Sequence, residues 1–509
     1  MNTIVILYDE NNKYESLELV QNKNALLITK EVFLKAGYKE DEIKSLNGPL
    51  TLSKLLEAMC DIAAEAKAEN IIFSFADCPL MNEALCKKLL DTHIKYKAEY
   101  TFADGYSYGF APEIINSGSL NILKELSKSS QAEMGNKKVN RESLFDLIKT
   151  DINSFEIETV LSDSDWRMNR FAFHCGKYEN YLSCRELLLN KNSDDAEELC
   201  LTASKLPAII KTRPAFYNIQ VCDKINISTS YSPYESAWEK VHGKSPLKAD
   251  AASLMPFEKF STLIDRIADF SKEAVISLSA WGEAFNHPDI LKFIEKVLSY
   301  EGLSVYIESD GLNISEEAAE KIAGLLSSAK ERSNGWPKFM LAITLDAFTK
   351  EKYHELHSSD AFEKAVENLS MLEKYLPSCV YPSFTRINQN EEELEAFFRF
   401  WDSKESPSKG ELIIQKYDNF AGLLEDLKPA DLSPLERNVC WHLRRDMTIY
   451  SNGDVPLCRT CLYSNIIGNV FTEDLCQIWK KSDSILEEHM KNNYNQMCRK
   501  CDEYYTFNF

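Results

Sequence analysis

The chain of 509 residues is longer than one hydrophobic core usually supports, and at 44% hydrophobic and 27% charged it has the composition of a globular protein of several domains. A formal charge of −21 argues against a broad electrostatic grip on nucleic acid or anionic lipid, because a wide basic footprint would be needed to displace counterions; a local basic patch stays open. Nothing approaches the roughly 18 consecutive apolar residues of a membrane span, and the run Ile4, Val5, Ile6, Leu7 suits a buried strand and not a signal peptide, so a cytoplasmic, reducing address is expected.

Polar seams at 190–197, 402–410 and 428–434 predict three domains, 1–190, 210–430 and 431–509. The first alternates strands with helices: TIVILYD at 3–9, helices over 25–35 and 52–68, then NIIFSFAD at 70–77. Continuous apolar runs flanked by helices read as strands buried on both faces of an α/β sheet. The second repeats the rhythm with AVISLSAW at 274–281, LSVYIESDG at 303–311, FMLAITLD at 339–346, VYPSFTRIN at 380–388 and ELIIQKYD at 411–418, with helices over 288–300, 361–374 and 391–401. So many β/α units predict a barrel or part of one.

The third domain holds five of the fourteen cysteines, Cys440, Cys458, Cys461, Cys498 and Cys501; the other nine show no ligand spacing. Gathered thiols in a reducing compartment point to a soft metal. Zinc is one candidate, since Cys458-x2-Cys461 and Cys498-x2-Cys501 form a paired C-x2-C signature. That pattern leaves Cys440 unexplained, and an iron–sulfur cluster is the other candidate. IYSNGDV at 449–455 predicts a hairpin through its Asn–Gly turn, returning Cys458 toward Cys440. His442, His354 and His357 read as surface or packing residues, and no local motif marks a Ser–His–Asp triad.

FADCPLM at 75–81, YGFAPEI at 108–114 and RESL at 141–144 resemble motifs of sugar-nucleotide cytidylyltransferases and related nucleotidyltransferases. The resemblance implies a Rossmann-like, GT-A-like domain with a nucleotide and Mg²⁺ site at Asp77 and Glu113. The family's Gly-rich phosphate loop is replaced by LYDENNKYESLELV at 7–20, with no glycine and four carboxylates to one lysine, and its second aspartate by His174. A vestigial site is expected.

INISTSYSPY at 225–234 resembles the cluster loop of radical S-adenosylmethionine enzymes, with Asn226, Tyr231, Pro233 and Tyr234 in matching places. The three cysteine positions of that loop read Ile225, Thr229 and Ser232, which offer no thiolate. SAWGEAFNHPD at 279–289, ESDG at 308–311 and ITLD at 343–346 resemble further elements of the family, implying a partial (β/α)6 barrel in which Gly282 and Glu283 mark a vestigial S-adenosylmethionine site. Cys222 lies three residues before Ile225 and does not restore the pattern.

Cys440-x12-Gly453-x4-Cys458, the Gly468–Asn469–Val470 step, the helix at 474–480 and the closing Cys498-x2-Cys501 resemble the SPASM or twitch domain that follows the barrel in many of those enzymes. The resemblance implies one [4Fe–4S] cluster on Cys440, Cys458, Cys498 and Cys501, with Cys461 spare. The full domain order is similar to the spirochaete family called spiro-SPASM. What this implies is architecture alone. The loss of both active-site signatures beside a retained thiolate set leads to the expectation of a non-catalytic iron–sulfur binding or electron-transfer component, with an unidentified protein or small-molecule partner for which redox contact is one option. The competing expectations are an active radical enzyme on a peptide or sugar-linked substrate, and a sugar nucleotidyltransferase with a structural zinc module.

Overall fold

Strand β1, Thr3–Asp9, carries five consecutive buried residues, and β3, Asn70–Phe75, is buried throughout, as expected of central strands covered by helices on both faces. The computed structural model describes residues 2–128, 133–248 and 253–506, and places these strands in the first of two units, Met1–Thr212 and Arg213–Phe509.

In the first unit, β2 (Ile43–Asn47), β4 (Tyr100–Asp104), β5 (Glu113–Asn116) and β6 (Ile157–Leu161) complete a sheet in the order β2-β1-β3-β5-β4-β6. Strand β1 runs parallel to β2 and β3, whereas β5 is antiparallel to both β3 and β4. Helices Ala25–Lys35, Leu52–Ala66 and Glu83–Tyr96 make the crossovers. Asn24 and Asn82 cap two of them by accepting the N–H of Leu27 and Leu85. Lys67 and Lys97 close two helices in the left-handed region, where Ala68 and Ala98 donate back to Ala63 and His93. Asp77 lies just past the carboxyl end of β3, where parallel sheets place their ligand sites.

The second unit is built on a parallel half-barrel sheet. Strands β7 (Phe216–Ile219), β8 (Ala274–Ser277), β9 (Leu303–Ser309), β10 (Phe339–Thr344), β11 (Val380–Arg386) and β12 (Ile413–Lys416) follow one another in sheet order. A seventh, β13 (Asp446–Ile449), adds parallel to β7 at the far edge. The amphipathic helix Phe257–Ser271 turns Phe260, Leu263, Ile264 and Ile267 into the core, and helix Ile290–Leu298 supplies Phe293, Ile294 and Val297. Among the described residues no helix is long and apolar enough to cross a membrane.

The Asn452–Gly453 turn forms, with Gly453 at φ +87 and its N–H on the Tyr450 carbonyl at 2.8 Å, but its arms do not continue as a paired hairpin. Strand β13 joins the barrel, whereas β14 (Asp454–Pro456) pairs antiparallel with β15 (Ile466–Asn469). The reason is burial: Met447 and Ile449 enter the barrel core, together with Val455, Val470, Ile478 and Trp479. Arg266 on the barrel helix donates to the carbonyls of Val470 and Glu473, fixing the same segment from outside. Ending the chain at residue 435 removes all six side chains, each worth roughly 1.5–3 kcal/mol of burial. The expected outcome is a barrel that melts well below the full chain and aggregates through the bared edge of β7, checked by thermal unfolding with light scattering; an unchanged midpoint would refute it.

Candidate functional site

In the first unit the buried Asp77 carboxylate is taken up by a guanidinium. Arg141 donates Nη1 to Oδ1 at 2.9 Å and Nη2 to Oδ2 at 2.7 Å, and lies over the rings of Phe75 and Tyr108. His174 stands with Nδ1 3.9 Å from Asp77 Oδ2; burial first, then Arg141, hold its pKa well below the ordinary value, so it adds no charge. Glu113 is tied elsewhere, accepting the Tyr100 hydroxyl at 2.7 Å, and burial pushes it up to about 7. Glu15, from the stretch replacing the phosphate loop, is buried and pushed up to about 9, by burial and then by Asp9. An arginine side chain thus stands against the carboxylate that would hold a metal ion, and the loop beside it is acidic.

At the carboxyl ends of the barrel strands lies a cavity of about 260 Å³. The loop after β7 closes over it, and each of its three substituted positions is engaged. Ile225 packs against a cluster containing Tyr234, Trp281 and Phe420. Thr229 Oγ1 lies 3.3 Å from His357 Nδ1, while His357 Nε2 donates to the Leu345 carbonyl at 3.2 Å, the neutral tautomer that burial favours. Ser232 accepts the Tyr234 N–H at 3.4 Å. Asn226 joins the loop to the barrel through Asp310 at 2.8 Å.

Gly282 is required by its surroundings: at φ +76, a Cβ would fall 1.9 Å from the Cys222 carbonyl oxygen. The Glu283 carboxylate is buried and already saturated, accepting from the N–H groups of Phe285 and Asp310 at 3.0 Å and from the Ser309 hydroxyl. Burial, and then neighbouring Asp310, push it up to about 8. Trp281 stands where the resembled motif has glycine; its indole stacks on Tyr234 at 5.5 Å and carries the Arg459 guanidinium over its face at 5.0 Å. Cys222 is buried in the barrel core and its thiol is pushed up to about 11 by burial.

The five carboxy-terminal thiols share one neighbourhood, and none is in a disulfide. Cys440 precedes the short helix Trp441–Arg445, Cys458 and Cys461 bracket a turn after β14, and Cys498 and Cys501 lie within and just past helix Gln496–Lys500. Cys461 and Cys458 are 3.6 Å apart; their hydrogen bond lowers the Cys461 pKa and raises that of Cys458, which also feels Cys440 and Cys501. Burial pushes Cys440 up to about 11, and Cys498 adds to the rise. Among the described residues, no three of these sulfurs lie within 4.8 Å of one another. The donor set, five sulfurs outside any disulfide, fits a thiophilic metal group.

Beside Cys501, oxygens of Asp418, Asp502 and Glu503 converge, but Lys416 bonds Glu503 and Asp502, and Lys428 bonds Asp502 at 2.5 Å. His442 is hydrogen-bonded packing, its Nδ1 2.6 Å from Asp446 Oδ2. Sequence reasoning missed the roles of Arg141, Trp281 and Arg459. Trp281 was signalled by a large ring in a glycine slot, whereas the other two depend on long-range contacts that no local pattern records.

Residues 440–502 match SPASM, an iron–sulfur cluster-binding domain. An uncharacterized protein of Treponema pallidum (strain Nichols) is 35% identical over 370 residues, 72% of this chain and 98% of that protein. Among solved structures, Streptococcus suis SuiB bound to precursor peptide SuiA is 14% identical, covering 72% of this chain and 84% of its own at a TM-score of 0.42. A cytidylyltransferase from Leptospira borgpetersenii serovar Hardjo-bovis (strain JB197) is 14% identical, covering 42% of this chain and 98% of its own at 0.35. At scores this low neither carries weight about function.

Two outcomes are expected. Arg141→Met leaves Asp77 buried and unpaired and should cost about 3–5 kcal/mol in denaturant unfolding, much of it recovered in the Arg141→Met, Asp77→Asn double variant. Glu283 is protonated in the folded chain and ionised in the unfolded chain between about pH 4.3 and about pH 8. The unfolded state then binds fewer protons, so this group's stabilisation is full below that window and is lost as pH rises through it. Glu283→Gln should flatten the decline in unfolding free energy from about pH 5 to about pH 8; an identical slope would refute the assignment.

Proposed function

We propose that this chain, which belongs to the same family as the Treponema pallidum protein and carries a segment matching the SPASM domain, holds one [4Fe–4S] cluster and acts as a non-catalytic binding or electron-transfer component. Cys440, Cys458, Cys498 and Cys501 hold it as thiolates, with no iron left open. When bound, the group supplies one-electron chemistry. The spread of the sulfurs supports it over a single ion: four thiolates at about 2.3 Å from zinc lie about 3.8 Å apart, and no three of these sulfurs come within 4.8 Å of one another among the described residues.

The observation that carries the non-catalytic reading is that the three loop positions without a thiolate are each engaged within the protein, on the wall of the cavity. Ile225 is packed against aromatic rings, Thr229 and Ser232 are bonded within the protein, and Trp281 occupies the cavity wall. Cys222, the nearest other thiol in sequence, is buried in the core and is no substitute ligand. The remaining cavity is the place for a small-molecule partner, and the first unit, with Arg141 against Asp77, serves binding or folding and not nucleotidyl transfer. Zinc is the second reading, favoured by the 3.6 Å Cys458–Cys461 pair, which fits one edge of a tetrahedral site.

Anaerobic reconstitution with metal analysis separates these readings. About four irons per chain and a brown chromophore are expected; stoichiometric zinc with no visible absorption selects the second. Release of 5′-deoxyadenosine from S-adenosylmethionine by the reduced chain would overturn the non-catalytic reading. Ile225→Cys, Thr229→Cys, Ser232→Cys combined with Trp281→Gly should raise the iron content to about eight, since it returns three thiolates and clears the indole; no rise would show that the loop is not a cluster loop by descent of shape.

A further inference from the structure

Charges close to a buried metal group decide how readily it takes an electron, because a low-dielectric surround leaves them unscreened. Around the five sulfurs several charges are answered locally. Lys416 and Lys428 face Asp502 and Glu503, and His442 and Arg445 share Asp446. Arg459 turns toward the barrel mouth, over Trp281 and within reach of the field of Asp418.

Arg437 differs. Its guanidinium lies between two tyrosine rings, 4.3 Å from the centroid of Tyr494 and 4.2 Å from that of Tyr504, and donates Nη2 to the Cys498 carbonyl at 2.7 Å. Its Nε is buried with no hydrogen-bond partner, and no ion pair among the described residues neutralises it. Two π faces hold the cation in place, and its Nε is shut off from water. The bond to Cys498 fixes that charge beside a ligand sulfur.

We infer that Arg437 sets the reduction potential of the metal centre by holding an uncompensated positive charge against Cys498. The inference rests on the iron–sulfur reading above. One-electron reduction adds negative charge to the centre, which a fixed cation stabilises, so Arg437 raises the potential; in the test dithionite supplies the electron and is itself oxidised. Arg437 is a positioning residue, touching the ligand's backbone and not the metal.

The test is a redox titration followed by electron paramagnetic resonance on the reconstituted full chain, with iron counted in each sample. Arg437→Gln is expected to keep its iron and to show a lower midpoint potential than wild type, while Arg437→Lys, which retains the charge, stays close to wild type. Equal potentials for Arg437→Gln and wild type at equal iron content overturn the inference alone. A wild-type chain that takes up no iron overturns the underlying reading and the inference with it. If Arg437→Gln does not hold iron, the Tyr494→Leu, Tyr504→Leu variant decides: the charge remains but is opened to water, so a lowered potential supports the inference and an unchanged one overturns it.

Discussion

Four backbone pairs, from Asp446 against Phe216 to Ile449 against Ile219, are the constraint on which the second unit depends. Parallel pairing fixes β13 to the barrel edge in one register, because a shift by one residue would turn Met447 and Ile449 out of the core. Everything after β13 inherits that placement. The tight turn at Gly453 reverses the chain, β14 and β15 pair, and Arg459, between Cys458 and Cys461 in sequence, reaches the wall of the barrel cavity. The Cys458–Cys461 turn and the barrel cavity are thus joined through hydrogen-bonded backbone.

Each unit gives its buried charge or apolar side chains a partner from within the protein, by a different physical means. A buried carboxylate without its cation, or a cavity without its occupant, is costly. In the first unit the answer is electrostatic, with Arg141 against Asp77. In the barrel it is steric and aromatic, with Ile225 and Trp281 joining Tyr234 and Phe420. Gly282 persists for a different reason, since its backbone passes so near the Cys222 carbonyl that any side chain would collide.

Much of the fold was legible in the sequence because its strands are continuous apolar runs: TIVILYD maps onto β1 residue for residue, and LSVYIESDG contains β9 at its start. Helix 25–35 was equally clear, helped by Asn24 as its cap. The hairpin at 449–455 was only half legible. Its turn is a local property of Asn–Gly, but the partner of each arm is chosen by burial against strands more than 200 residues away in sequence for β13. The thiols were legible as a group from spacing; their individual partners were not, since Cys461 against Cys458 and Met497 is decided by the turn that follows β14. Arg141 stood in a recognised motif, yet nothing in that motif says that its guanidinium reaches across 64 residues of sequence to Asp77.

That reach separates the two units in their relation to the medium. A cation attached covalently through its own side chain has an effective concentration that no chelator or dilution can lower. In the first unit the Asp77 carboxylate therefore has its counter-charge whatever the supply of divalent ions. The thiol neighbourhood is the opposite case: burial holds the Cys440 and Cys501 thiols above their ordinary pKa, and a bound metal would supply the compensating charge. One polypeptide thus joins a unit whose counter-ion is encoded in the gene to one whose counter-ion must be found in the cell.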